Sequence, residues 1–593
     1  MEKLISEISY IFNKKQKRNM IILLLAIFVG AGMELLGVSL FMPLTTVVTT
    51  PSEIDKNIFL KTFRDVFGLY DNRQMFIGLA AAIIVIYVIK NLYLSLMYYY
   101  LYSFIYHNQL KVESRLVDCY MKKPYIYHLD HNTSDMIRNI MLDSERLFQL
   151  ILQFLSLISE LLLSGLLVLY LLVKDPVMTI SIAIVLFVSV GVFMALTRKR
   201  ANRYGQINQE YDGRMHQAIE EALGAVKDIK ILHREKYFVD KFTYGGEQKM
   251  DALIHTNFFG AVPKYLIEMV CMAGILAVMI AKVLNGTDIG TIVPELAAFA
   301  VAAFKLLPSV GKIANYFNGI SFLMPSIDLI YHDLKETEDM LEIEYKDESD
   351  APDVSDATKI SVEELSFSYP NTEHDVLHDI SFEIPAGSSV GLIGASGAGK
   401  TTVADIILGI FSPKSGAVRY GRMNVHDYPM TWAKKLAYIP QAIFLSDESI
   451  RENIAFGIEL KDIDDDRVWE AVREAQLTEF VKSLPAGLGT KVGERGVRLS
   501  GGQRQRIGIA RALYGNPEFL VLDEATAALD METEQAVMEA IDSLHGRKTM
   551  LIIAHRLTTI KNCDLIFEAG NGGIRTVARD EFEAMLKEQT END

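Results

Sequence analysis

Apolar residues fall into long blocks in the first half of the chain and into short runs in the second. Six blocks lie near 20–46, 75–105, 147–173, 177–197, 257–284 and 291–331. Each is long enough to cross a bilayer, which takes about 20 apolar residues in a helix. Only Lys174, Asp175 and Pro176 separate the third block from the fourth, a spacing that predicts a tight hairpin. The second and sixth blocks overrun the bilayer, so their helices are expected to continue into water or into an assembly. The stretches 106–146 and 198–256 are polar, charged and helix-patterned with few Gly or Pro breaks. They read as long cytoplasmic extensions of the spanning helices.

The segment before the first block, MEKLISEISYIFNKKQKRN, is amphipathic and basic. The apolar run after it is longer than the core of a cleaved signal, so an uncleaved spanning helix is expected. Lys14, Lys15, Lys17 and Arg18 precede the first span, and Arg198, Lys199 and Arg200 follow the fourth. Basic residues favour the cytoplasmic side, which places both points, and the N-terminus, inside. Residues 51–74 and Asn285–Gly290 then fall outside. Residues 55–70 read either as a short amphipathic helix on the outer surface or as an ordinary loop.

Beyond the last span, Glu336 to about Asp356 is rich in acids and reads as a solvated linker. From Ile360 onward β-like runs alternate with helical ones, the mark of an α/β domain. The expected fold class is a multi-domain membrane protein. Residues 1–335 are expected to form an all-α six-helix transmembrane domain, 336–357 an acidic linker and 358–593 an α/β domain, whose GASGAGKTT run at Gly394–Thr402 marks it as a P-loop nucleotide-binding domain. Composition fits this division: 593 residues exceed one core, and 50% are hydrophobic. A net charge of −16 argues against a nucleic-acid partner, whose binding surface would be basic. Cys119, Cys271 and Cys563 are scattered and suggest neither a disulfide framework nor a zinc site, which fits a reducing cytosol.

Two stretches handle phosphate. GASGAGKTT (Gly394, Ala395, Ser396, Gly397, Ala398, Gly399, Lys400, Thr401, Thr402) fits G-x-x-x-x-G-K-[ST]. Its glycines let backbone amides approach phosphate oxygens, Lys400 brings a positive charge and Thr401 a hydroxyl for Mg²⁺. LSGGQ at Leu499–Gln503 can form a second anion cradle at a helix start. FLVLDE at Phe519–Glu524 reads as a buried strand ending in two acids. Asp523 can hold Mg²⁺ through water, and Glu524 can polarise an attacking water.

In this order the motifs resemble the nucleotide-binding domain of ATP-binding-cassette (ABC) transporters over about 358–580. The resemblance implies ATP and Mg²⁺ as cofactors and assigns further residues. Tyr369 would stack on adenine, and Gln441 would sense the metal. Glu494 would meet the partner's cytoplasmic helices. Ser500, Gly501, Gly502 and Gln503 would form the signature, Asp530 would cross a dimer interface, and His555 would contact the γ-phosphate. Singly, His555 also reads as a core histidine and Tyr369 as a packed aromatic. In this family the signature faces the P-loop of another subunit, so one cassette and one set of spans imply a half-transporter working as a homodimer. Six spans followed by a cassette resemble ABC exporters of the inner (plasma) membrane. Coupling segments are then expected near 123–140 and 222–240.

Charges inside spans are costly and suggest function. Lys90, Lys264, Lys305 and Lys312 fall in the cytoplasmic half of the predicted spans. A ring of lysines would attract an anionic head group such as phosphate or pyrophosphate. The bland alternatives are snorkelling to the interface and a Lys264–Glu268 pair. The runs AVPKYLIE (261–268) and FKLLPSVGKI (304–313) resemble bacterial flippases for lipid-linked oligosaccharides, with lysine where arginine is expected. That implies a polyprenyl-pyrophosphate-linked glycan as substrate, although lysine lacks the bidentate fork of arginine. A lipid A-like or multidrug exporter is the alternative, to which Tyr98, Tyr99 and Tyr100 are suited. A gated channel or regulator that transports nothing is a third reading.

Overall fold

The computed structural model describes residues 2–40, 43–44, 47, 54–55, 58–174, 176–284, 289–340, 346–354, 357–370, 372, 374–524 and 531–592. The chain divides into two units, Met1–Lys123 with Tyr127–Glu342, and Pro124–Ile126 with Ile343–Asp593.

The first unit is helical. α1 (Glu2–Ile11) and α2 (Lys14–Ser39) are followed by α3 (Ile58–Phe67). α3 occupies the stretch for which helix and loop were both open, and its Leu60 packs in a small cluster with Met75 and Leu79. α4 (Asn72–Lys122) is one helix of 51 residues. α5 (Tyr125–Asp130) and α6 (Thr133–Arg138) are short and lead through a π-turn, Asn139–Asp143, into α7 (Ser144–Lys174). α8 (Pro176–Gly224) starts one residue beyond Asp175, and its proline at the first helical position fits the expected hairpin. α9 (Val226–Leu232) ends at His233, whose φ of 52° turns the chain into α10 (Glu235–Leu284). α11 (Ile289–Met340) completes the unit with 52 residues.

Among the described residues, Lys14–Gly37, Asn72–Lys122 and Thr133–Tyr170 are apolar enough over sufficient length to cross a membrane. The other three expected spans lie within α8, α10 and α11. The expected cytoplasmic extensions are continuous with their spans because nothing in 106–122 or 198–223 breaks the helix. Gly205 lets α8 approach α11 closely: a Cβ there would stand 2.2 Å from the Phe322 carbonyl oxygen.

Buried polar groups tie the helices together beyond the apolar stretches. Asp143 is fully buried and accepts from Arg138 (3.2 Å), Arg146 (3.2 Å), Gln209 (3.3 Å) and Ser326 (2.9 Å). Asp212 on α8 receives Arg146 at 2.6 Å and Lys249 of α10 at 2.5 Å. Asn139 donates to Asp333 of α11 at 2.8 Å, and Tyr120 hydrogen-bonds the same carboxylate. The π-turn thus carries two side chains that join α4, α7, α8 and α11.

In the second unit a six-stranded sheet has the order β10-β9-β3-β8-β7-β6. Its strands are β3 (Ser389–Gly394), β6 (Leu436–Ile439), β7 (Phe519–Asp523), β8 (Thr549–Ile553), β9 (Leu565–Gly570) and β10 (Gly573–Thr576). All neighbours run parallel except β10. β7 and β8 are buried at every residue, as parallel strands covered on both faces must be. A smaller antiparallel sheet, β2-β1-β4-β5, is built from β1 (Lys359–Phe367), β2 (Leu377–Pro385), β4 (Ser415–Tyr420) and β5 (Met423–Asn424).

The second half of the acidic segment is docked at particular residues, although most of its side chains stay exposed. The Glu348 carboxylate accepts from the amides of Met430 (2.8 Å) and Thr431 (3.0 Å), capping a short helix. Lys346 pairs with Asp427 at 2.8 Å, and Val354 is buried in the core. The acids there serve as helix caps, which a count of charges does not reveal.

Candidate functional site

β3 delivers the glycine-rich loop. Gly394 has φ 144°, and a Cβ there would stand 2.3 Å from the Ala569 carbonyl oxygen, so only glycine fits. Ala395, Ser396 and Gly397 are exposed at the turn, and Gly399 caps helix α12 (Lys400–Ile407) with φ 91°. The Lys400 ammonium donates to the carbonyls of Gly394 (2.8 Å) and Ala395 (2.9 Å), which holds it over the loop. Burial lowers its pKa, against the pull of Glu524 and Asp523. Thr401 is exposed, while the Thr402 hydroxyl lies 3.0 Å from that of Tyr369. Tyr369 meets Phe411 edge-on with centroids 5.7 Å apart.

β7 ends in Asp523 and is followed by Glu524, whose φ of 45° is unusual for a side chain with a Cβ. The Glu524 amide is fixed to the Ile553 carbonyl at 3.0 Å. Its carboxylate is held from two sides, by His555 Nε2 at 2.7 Å and by Gln441 Nε2 at 2.6 Å. Burial first, and then the charge of Glu524, raises the pKa of Asp523. Asp405 on α12 is pushed up to about 6, first by burial and then by Asp523. The Tyr438 hydroxyl lies 3.4 Å from Asp523. Lys400, Thr401, Gln441, Asp523, Glu524 and His555 therefore converge around the loop.

Among the described residues no three His, Cys, Asp or Glu side chains form a metal cage. A hard cation here would take one carboxylate, a hydroxyl and the nucleotide's own oxygens, which is how Mg²⁺ sits with phosphates. The excess of carboxylates over Lys400 fits such a cation.

Ser500 and Gln503 form a capping box on α13 (Gly501–Tyr514): Ser500 N donates to Gln503 Oε1 (2.9 Å), and Gln503 N donates to Ser500 Oγ (3.2 Å). Ser500 and Gly501 are exposed and Gly502 is buried. Glu494 is exposed on a short turn. Asp530 lies outside the described residues.

The structure places two of the four span lysines in ion pairs. Lys90 on α4 is buried, 3.1 Å from Glu34 of α2 and 4.5 Å from the Tyr87 ring centroid. Lys312 on α11 lies 2.6 Å from Glu160 of α7. For these two, a bare positive ring gives way to charge-balanced pairs: Lys90 as a buried cation that needs a partner, Lys312 as the half-exposed partner of a buried carboxylate. The side chains of Lys264 and Lys305 lie outside the described residues. Glu34 and Glu160 were readable as acids inside apolar blocks, but attention to lysines alone passes over them. Asp405 and Tyr438 carry no motif and emerge only from the fold.

A helical membrane unit joined to a P-loop cassette with these groups defines an ATP-hydrolysing transporter. A profile for the ABC transporter transmembrane region matches residues 20–301, and one for the ABC transporter matches 377–527. A putative multidrug export ATP-binding/permease protein, YgaD, of Bacillus subtilis is 30% identical over 78% of this chain and 79% of its own length. An ATP-dependent lipid A-core flippase of Cupriavidus pinatubonensis is 26% identical over 78% of both chains. The mouse mitochondrial ATP-binding cassette sub-family B member 10 is 34% identical over 60% of this chain, which spans half of that protein's length. A solved bacterial Atm1-family ABC exporter with ATP bound shares the fold, with a TM-score of 0.71 at 20% identity over 98% of this chain and 99% of that one. The chain belongs to the ABC transporter family, as an exporter-type half-transporter with its membrane domain fused to its cassette.

Proposed function

We propose that this exporter works as a homodimer in the plasma membrane, with its N-terminus and cassette in the cytoplasm. Its substrate is an amphipathic anionic lipid, specifically a lipid-linked oligosaccharide on polyprenyl pyrophosphate, moved from the cytoplasmic to the outer leaflet. The observation that carries this reading is Lys312, a cation on a spanning helix whose side chain is 54% exposed. Among the described residues Glu160 alone pairs with this half-exposed ammonium, which leaves it room to meet a second anion at membrane depth. The lipid A-core flippases among the relatives support an anionic lipid. The multidrug relative and the exposed ring of Tyr99 favour a second reading, export of apolar drugs.

For the chemical step, Glu524 orients and polarises the attacking water, and Gln441 and His555 hold that carboxylate in place. Lys400 and the loop amides bind the β- and γ-phosphates. Thr401, Asp523 and the oxygen of Gln441 would hold Mg²⁺, which when bound neutralises charge developing on the phosphates. Ser500 to Gln503, exposed at a helix start, would meet the nucleotide of a second copy. The coupling segments near 123–140 and 222–240 would relay closure of the cassettes to the long helices.

The test is reconstitution in phosphatidylcholine vesicles, with translocation read for a fluorescent polyprenyl-pyrophosphate-linked sugar and for an apolar dye. ATP-dependent movement of the sugar lipid and not the dye is expected. The reverse result would establish the second reading.

A further inference from the structure

The pair on the α7–α11 seam is built unequally. Lys312 is about half exposed, whereas the Glu160 side chain is 9% exposed. Glu160 uses one carboxylate oxygen on Lys312, and the other, also buried, has no hydrogen-bond partner among the described residues. Tyr98 of α4 and Tyr316 of α11 lie within electrostatic reach. About two helical turns away, Gln153 and Gly319 face each other across the same seam, seven residues from Glu160 and Lys312 respectively. Gln153 also keeps a buried side-chain oxygen unpartnered among the described residues. A half-satisfied buried carboxylate is expensive, so the arrangement is poor as a structural strut.

We infer that Glu160 is the resident competitor for Lys312: its carboxylate occupies the ammonium that an anionic head group must engage, and so sets how tightly a phosphate-type group is held and how readily it leaves. This deepens, and rests on, the anionic-lipid reading. Among the described residues the Lys312 ammonium donates to Glu160 alone, so an entering phosphate oxygen can share it with Glu160 before displacing it. On release the carboxylate returns to its partner, and no charge is left bare.

The experiment uses the full chain in phosphatidylcholine nanodiscs. Stimulation of ATPase by polyprenyl pyrophosphate, and by uncharged polyprenol, is read as a ratio to each variant's own lipid-free rate. Glu160→Gln is expected to lower the half-stimulating concentration of the pyrophosphate about threefold or more, the scale of a partly exposed ion pair. It should also reduce the maximal stimulated rate, because release slows. Lys312→Met should lose the preference for pyrophosphate over polyprenol. Should Glu160→Gln fail to fold, Glu160→Asp, with its shorter reach, should shift the half-stimulating concentration in the same direction by less. An unchanged or raised half-stimulating concentration in a folded Glu160 variant overturns the inference while leaving the anionic-lipid reading standing. Equal stimulation of the unsubstituted protein by pyrophosphate and polyprenol removes that reading, and the inference with it.

Discussion

His555 Nε2 lies 2.7 Å from Glu524 Oε1, and Gln441 holds the other oxygen of the same carboxylate. Glu524 itself sits at φ 45° just past a fully buried strand. Backbone strain and two side-chain contacts therefore fix one carboxylate beside the phosphate loop. Replacing it with an amide keeps the shape and removes the base. Glu524→Gln should still bind ATP but hydrolyse it about 10²- to 10⁴-fold more slowly, the usual share of a general base. Single-turnover hydrolysis and nucleotide-binding assays check this, and near-normal turnover would contradict the role.

Tyr369 is braced by Phe411 and by the Thr402 hydroxyl. Its half-buried ring is proposed to stack on a base, an interaction worth about 1–3 kcal/mol by alanine substitution. Tyr369→Ala should weaken ATP binding roughly tenfold, whereas Tyr369→Phe should lose little. Titration with a fluorescent ATP analogue distinguishes the two, and equal losses would point to the hydroxyl contact instead.

Asp405 is pushed up to about 6 from the ordinary 3.8. The folded unit therefore holds this proton more tightly than the unfolded chain does. Its contribution favours folding below about pH 4 and is lost as pH rises through 6. At pH 7.5 the charged side chain beside Asp523 is a penalty. Asp405→Asn should raise the nucleotide-free melting midpoint at pH 7.5 and flatten its fall between pH 4 and 6. Discounted for solvent access, the gain is about 1 kcal/mol, or roughly 2–4 °C. Both tryptophans, Trp432 and Trp469, belong to the cassette unit, so intrinsic fluorescence of the whole chain reports its unfolding. A lower midpoint at pH 7.5 would refute the argument.

Asp143 gathers two arginines, a glutamine and a serine at a fully buried position. Removing it leaves Arg138 to Asp135 and Arg146 to Asp212, and takes the buried acceptor from Gln209 and Ser326. Asp143→Ala should destabilise the membrane unit by about 3–5 kcal/mol, the cost of breaking a buried pair from one side. Thermal aggregation of detergent-solubilised protein measures this, and an unchanged onset would show that water compensates.

How much was legible beforehand follows from the physics of each element. The three spans found among the described residues announced themselves because a bilayer demands long apolar runs, and the long helices that continue past the apolar blocks because helix-breaking residues are sparse there. The P-loop and the Asp523–Glu524 strand end were legible because phosphate chemistry restricts both residue type and spacing. The Lys312–Glu160 and Lys90–Glu34 pairs were not, since pairing depends on helix register across a seam that one chain's hydropathy does not encode. Asp405 was hidden for the same reason: an acid five residues into a helix looks solvated until the fold sets Asp523 beside it. The docking of Glu348 was missed because a capping carboxylate and a solvated one look alike in composition.

The central claim is that two copies share each ATP. The decisive measurement is ATPase activity per chain in nanodiscs sorted by mass into particles holding one or two 66.6-kDa chains. Activity confined to the two-chain particles is the predicted result. Single-chain particles hydrolysing ATP at the same rate per chain would contradict it.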